Sequence, residues 1–229
     1  MAEKHERLLG KGGEKKTESF SQAAGNVIIK HRMIFLAVIG ALLVSAIAIG
    51  LVNWIGTRSR ERGLSAVEDI SWAVQKADSL DSAVQKALSD LDAWTGKKGI
   101  VGVRANMLKA ELLFRDKKYD EARLSWNAAA EAEPKAYTAP LAWLNAGVAS
   151  EELDDRDGAA GYYQKAAAYA DFPLLTRTMF NLGRVLDEAE KYTEAAAQYQ
   201  KLSDTYGDDP WASLAMSRIL ALRVEGKIP

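Results

Sequence analysis

His5 and His31 are the only histidines in the chain, and there is no cysteine. Both histidines precede the region whose pattern can fold. Neither therefore has a partner for zinc ligation or for a serine–histidine pair. The lack of cysteine excludes disulfides, thiolate metal sites, cysteine nucleophiles and a lipid-modified N-terminal cysteine. Asp155-x-Asp157-Gly158 shares residues with a calcium loop, but that loop needs an acidic ligand where Leu153 stands and a glutamate where Gln164 stands. Gly10-Lys11-Gly12-Gly13-Glu14-Lys15-Lys16-Thr17 approaches a phosphate-binding loop, yet Lys15 replaces its second glycine and no strand precedes it. The carboxylate pairs Glu151/Glu152 and Asp187/Glu188 are adjacent, so on a helix they diverge instead of forming an acid/base pair. These residues predict a non-enzyme with no cofactor and no metal. A net charge of −1 gives no basic footprint for nucleic acid.

The elements that would carry any other function are written as a repeat. Trp143-x-Asn145-Ala146-Gly147 is followed by Asp157-Gly158-Ala159-x-x-x-Tyr163-Gln164-Lys165-Ala166. Met179-x-Asn181-Leu182-Gly183 is followed by Tyr192-Thr193-Glu194-Ala195-x-x-x-Tyr199-Gln200-Lys201-Leu202. Upstream, Ala110 precedes Tyr119-Asp120-Glu121-Ala122-x-x-x-Trp126-x-x-Ala129. Each copy predicts two helices. A small residue on the first (Ala110, Gly147, Gly183) lets the second cross closely, and a polar turn separates them. The second helix offers a small residue (Ala122, Ala159, Ala195) and an aromatic four residues on. One such hairpin cannot bury its apolar face alone, whereas stacked neighbours can.

The marker alanines recur about every 36 residues, near the roughly 34 of a tetratricopeptide array. Over 103–209 the chain resembles the tetratricopeptide repeat (TPR) family. The fold expected is all-α: a TPR-type α-solenoid with a C-terminal capping helix, preceded by a single N-terminal transmembrane helix. Ser71 and Ala83 fit the frame as a degenerate first repeat, and Thr95-Gly96-Lys97-Lys98-Gly99 breaks the chain after it. The resemblance implies a concave face lined by first helices, and hence a partner-binding groove. Its positions are Arg104, Met107, Glu111 and Phe114, then Leu141, Leu144, Val148 and Glu151, then Arg177, Phe180, Arg184 and Asp187. The family's carboxylate clamp would need Lys and Asn where Met107, Leu144 and Phe180 stand, so the groove suits a helix or extended segment of a protein instead.

Met33–Val52 is an uncharged apolar run of about 20 residues, long enough for a roughly 30 Å hydrocarbon layer. Lys30, His31 and Arg32 abut one end, and Trp54 sits at the other, where an indole suits the headgroups. Ala37, Ala41, Ser45 and Ala48 share one face, on which a second membrane helix could dock. Basic residues of the tail favour a cytoplasmic N-terminus, although Arg58, Arg60 and Arg62 lie just beyond the span.

The expected organisation is a disordered polar tail (1–26), an anchor helix (27–56), membrane-proximal helices (57–100), three repeats (101–209) and a capping helix with its tail (210–229). Ser217, Arg218 and Arg223 would wet the outer side of that cap. This layout is similar to the YfgM-like family of ancillary SecYEG translocon subunits. The similarity implies a single-pass inner-membrane protein with a periplasmic repeat domain, working as a co-chaperone or translocon accessory. Its partners would be the translocon or a chaperone with its clients, and the lipid bilayer through the anchor. The alternative is a scaffold subunit of an envelope machine, such as a secretion or flagellar-motor assembly.

Overall fold

The structure is a computed structural model that describes residue 25 and residues 29–77 and 80–229. The expected polar tail, Gly25 apart, lies outside the described residues. Among the described residues there are nine long helices and no strand. The chain divides into two compact units, Met1–Ser59 and Arg60–Pro229.

Helix α1 (Arg32–Gln75) starts in the first unit and ends in the second. Within the first unit its side chains are exposed throughout, Ala37, Ala41, Ser45 and Ala48 among them. The mean hydropathy of its apolar window is 2.8, so the helix is long and apolar enough to cross a membrane, a test that a signal sequence also passes. Ser45 spends its hydroxyl on the carbonyl of Ala41, 2.8 Å away. That back-bond keeps a polar group satisfied in an apolar setting.

The second unit holds the last turns of α1 and then α2 (Leu80–Thr95), α3 (Ile100–Arg115), α4 (Tyr119–Ala132), α5 (Ala139–Glu152), α6 (Arg156–Ala166), α7 (Leu175–Glu188), α8 (Tyr192–Thr205) and α9 (Pro210–Val224). From α2 onwards each helix packs mainly on the next in sequence, and α9 also returns to α7. This nearest-neighbour pattern is what hairpins stacked in series produce. Val67 and Val74 of α1 share a small core with Val84, Ala87 and Leu91 of α2 and with Ala105 and Leu112 of α3. Asn106, itself buried, ties the break after α2 by donating to the carbonyls of Thr95 and Gly102, both at 2.9 Å.

Small residues set how closely each hairpin closes. Ala110, Ala122, Ala159 and Ala195 are fully buried, as are the rings of Tyr163 and Tyr199. The ring of Tyr163 lies on Gly147 so tightly that an added Cβ would stand 2.6 Å from it. The three turns repeat one backbone form. Lys117, Asp154 and Glu190 have φ of 59°, 58° and 62°. In each, the following N–H (Lys118, Asp155, Lys191) returns 2.9 Å to a carbonyl of the first helix (Leu113, Ser150, Leu186). This is the left-handed cap that stops a helix, here made without glycine.

Helix α9 buries Ala212, Ala215, Ile219 and Leu222, and of the residues expected to wet its outer side Ser217 and Arg223 are exposed and Arg218 is half-buried. Arg218 turns to Asp187, with Nε 3.0 Å from Oδ2. Arg223 reaches the carbonyl of Pro229 at 3.2 Å. Leu214, Met216, Leu220 and Val224 stand exposed as well.

Candidate partner-binding site

The twelve groove positions fall on α3, α5 and α7, the first helices of successive hairpins. Arg104, Glu111 and Arg177 are exposed, while Met107, Phe114, Leu141, Val148, Glu151, Phe180 and Arg184 are half-buried. Two differ from what a binding face needs. Leu144 is only 4% exposed and belongs to the core between hairpins, so it offers a partner nothing. Asp187 is 9% exposed and spends its carboxylate on Arg218. Phe114 is turned towards aromatic neighbours, its ring 5.1 Å from that of Tyr119 and 5.4 Å from that of Trp126.

Five of the remaining positions line two separate clefts. The first, of about 430 Å³, is lined by Arg104, Met107 and Glu111 of α3 with Val67 and Trp72 of α1. The second, of about 490 Å³, lies on α7, where Phe180 and Arg184 meet Tyr192, Tyr199, Arg218 and Lys227. Leu141, Val148, Glu151 and Arg177 line neither of these two clefts. Trp72, Tyr192, Arg218 and Lys227 were not legible as lining residues. Only the recurrence of an arginine on the next first helix, Arg184 and then Arg218, could have pointed to one of them.

The wall of the second cleft carries a polar network that is itself repeated. The hydroxyl of Tyr163 donates to Glu151. Arg184, from the next hairpin, donates to both oxygens of that carboxylate at 2.7 and 2.6 Å, and to Glu188 at 2.7 Å. Such two-pronged, charge-assisted bonds fix one helix against another better than a point charge would. One hairpin on, the corresponding trio is Tyr199, Asp187 and Arg218. There the carboxylate is one methylene shorter. The N–H groups of Arg218 go to Asp187, and the buried hydroxyl of Tyr199 has no hydrogen-bond partner among the described residues. Burial, with the Asp187 charge adding, pushes the Tyr199 phenol up to about 12. Burial and the bond to Glu151 raise that of Tyr163 as well. The carboxylates and guanidinium groups of the network are spent on one another, and Arg184, Asp187, Glu188 and Arg218 also line the second cleft.

The residues that suggested chemistry serve the backbone or one another. Asp155 caps α6, accepting from the N–H of Gly158 at 2.9 Å, and pairs with Arg123 at 2.8 Å. Asp157 reaches Lys191 at 2.6 Å. Glu188 holds Arg156 at 3.1 Å in addition to Arg184.

No family model matches the chain. A TPR repeat-containing protein of Treponema pallidum (strain Nichols) is 29% identical over 130 residues, covering 57% of this chain and 54% of the relative. The chain thus spans about half the length of that relative. Among solved structures, BtubC from P. vanneervenii is 13% identical with a TM-score of 0.41, over 74% of this chain and 91% of that one; a likeness at that level carries no argument. The sequence similarity to the Treponema protein supports kinship with TPR repeat-containing proteins.

Proposed function

We infer that the chain is a non-catalytic protein-interaction module, a TPR-type solenoid held at a membrane by the apolar part of α1. It binds segments of other polypeptides along the first helices of its hairpins. The observation that carries this reading is the α3 cleft, where the half-buried Met107 and the exposed Trp72 lie between the charged Arg104 and Glu111. Apolar side chains left open inside a polar rim are what a helix or extended segment of a partner covers. The similarity to a TPR repeat-containing protein of Treponema pallidum adds support.

In its finer form the reading is a periplasmic co-chaperone or translocon accessory of the inner membrane, with a cytoplasmic N-terminus. Tethering would confine the groove to the neighbourhood of one membrane machine and raise its effective concentration there. The test is photo-crosslinking in intact cells from Met107 and Phe180, with Lys201 on the other helix layer as control. A spread of adduct masses from the two groove positions is the expected result. One discrete adduct of fixed mass would favour the envelope scaffold. Adducts from Lys201 alone would sink the groove.

A further inference from the structure

The hairpin of α7 and α8 carries one buried donor without an acceptor, and it lies in the second cleft. Tyr199 is 0% exposed, its hydroxyl has no hydrogen-bond partner among the described residues, and it lines the cleft. Buried hydroxyls are nearly always paired, because an unpaired one has lost its water and gained nothing in return. The Arg218 guanidinium lines the same cleft, but it has no lone pair with which to accept.

The hairpin before it pairs the equivalent donor. There the Tyr163 hydroxyl donates to Glu151, and Arg184 of the next first helix holds the same carboxylate. Shifted by 36 residues, Tyr163 and Glu151 become Tyr199 and Asp187, and Arg218 takes the part of Arg184. All three helices of the trio are in place in both copies, so the difference comes from the side chain at position 187. Asp187 is shorter by one carbon–carbon bond, about 1.5 Å, and its carboxylate makes no bond to the hydroxyl. Both N–H groups of Arg218 go to Oδ2 of Asp187, which leaves Oδ1 as an acceptor. A donor and an acceptor thus face one cleft of about 490 Å³.

We propose that this pair takes a primary carboxamide, the side chain of a glutamine or asparagine in a partner polypeptide. Its oxygen accepts from the Tyr199 hydroxyl, and its amino group donates to Oδ1 of Asp187. A carboxamide carries an acceptor and a donor on one edge, which matches that pairing. A carboxylate carries only acceptors, and its second oxygen would face Asp187. The cations of the cleft do not offset that repulsion, since Arg184 is spent on Glu151 and Glu188, and Lys227 on Glu225. Phe180 and Tyr192 supply apolar walls for the methylenes of the entering side chain. The Arg218 side chain, 37% exposed, yields slightly as the oxygen enters. The inference rests on the reading of the first helices as a partner-binding groove, and names the group taken at α7.

The test is an NMR titration of the purified full-length chain in detergent micelles, with isotope-labelled tyrosine rings. The probes are the N-acetyl, N-methylamide derivatives of glutamine, glutamate and methionine. They share a backbone, so a difference between them isolates the side chain. The signal of Tyr199, assigned by its loss in Tyr199→Phe, should shift saturably with the glutamine probe. That probe should bind about fivefold more tightly than the other two, the worth of one neutral hydrogen bond. Tyr192, in the same cleft, reports binding in the variants. Tyr199→Phe should abolish the preference. Asp187→Glu rebuilds the trio of Tyr163, so it should abolish the preference while raising the melting temperature. Equal affinity for the three probes, or no saturable shift, means that solvent serves the hydroxyl and overturns the proposal. So does tighter binding of the glutamate probe, or a preference that survives Asp187→Glu. Crosslinks from Phe180 without a glutamine preference would remove this inference alone. A glutamine preference without crosslinks would uphold it and sink the groove reading instead.

Discussion

Gly183 lies beneath the ring of Tyr199 with no space for a side chain: an added Cβ would stand 2.5 Å from one ring carbon and 2.7 Å from the next. Tyr199 is fully buried, so the ring cannot swing away. Gly147 and Tyr163 repeat the relationship one hairpin earlier. Gly183→Ala should therefore destabilise the fold. Overpacking of this kind costs about 1–3 kcal/mol, against a gain of about 0.5–1 kcal/mol for alanine over glycine in a helix. The check is thermal unfolding. A melting temperature equal to or above that of the parent would mean that the hairpin is not held by this contact.

The two equivalent tyrosines should respond differently to loss of their hydroxyls. Tyr163→Phe removes one of the two donors to Glu151, leaving Arg184 as its partner, and should cost about 1 kcal/mol. Tyr199→Phe removes a buried hydroxyl that has no partner among the described residues and should be neutral or mildly stabilising. Urea titration of both variants measures the contrast, and equal losses would contradict the unequal networks.

Alkaline solution should loosen the second unit. In the fold, the Tyr199 phenol is raised from its ordinary value near 10 to about 12, and that of Tyr163 is raised too. Below pH ~10 both are neutral in the folded and unfolded chains, and their contribution is fully present. Between about 10 and 12 the unfolded chain loses protons that the folded chain keeps, so stability falls as pH rises. Tyr199→Phe should flatten that fall. Unfolding midpoints measured from pH 8 to 12 test it, and identical slopes for parent and variant would refute it.

Lys117, Asp154 and Glu190 each hold a left-handed backbone without being glycine. Lys117 is exposed, and its φ of 59° is a conformation a residue with a Cβ adopts at a cost of order 1 kcal/mol. Lys117→Gly should relieve that strain and raise the melting temperature by up to about 2–4 °C. A lowered melting temperature would show that the extra freedom of glycine in the unfolded chain outweighs the strain.

The hairpins, their small residues and their aromatics were legible in the sequence because each depends on residues a few positions apart. Gly147 and Tyr163 sit 16 residues apart in one hairpin, and their types alone require a close crossing. The uncharged run Met33–Val52 likewise declares a helix of membrane length by composition. Contacts between hairpins were not legible, because they depend on register across more than 30 residues and on side-chain length. Frame counting placed Leu144 in a groove, whereas packing of neighbouring hairpins buries it. Glu151 and Asp187 are alike as carboxylates in sequence. Only the tertiary structure lets the longer one reach its tyrosine and the shorter one leave it bare. The sequence by itself determined which helices form and which pairs close, since local spacing dictates both. The tertiary structure alone decided which polar groups are spent internally and which apolar faces remain uncovered, because both depend on how successive hairpins are rotated against one another.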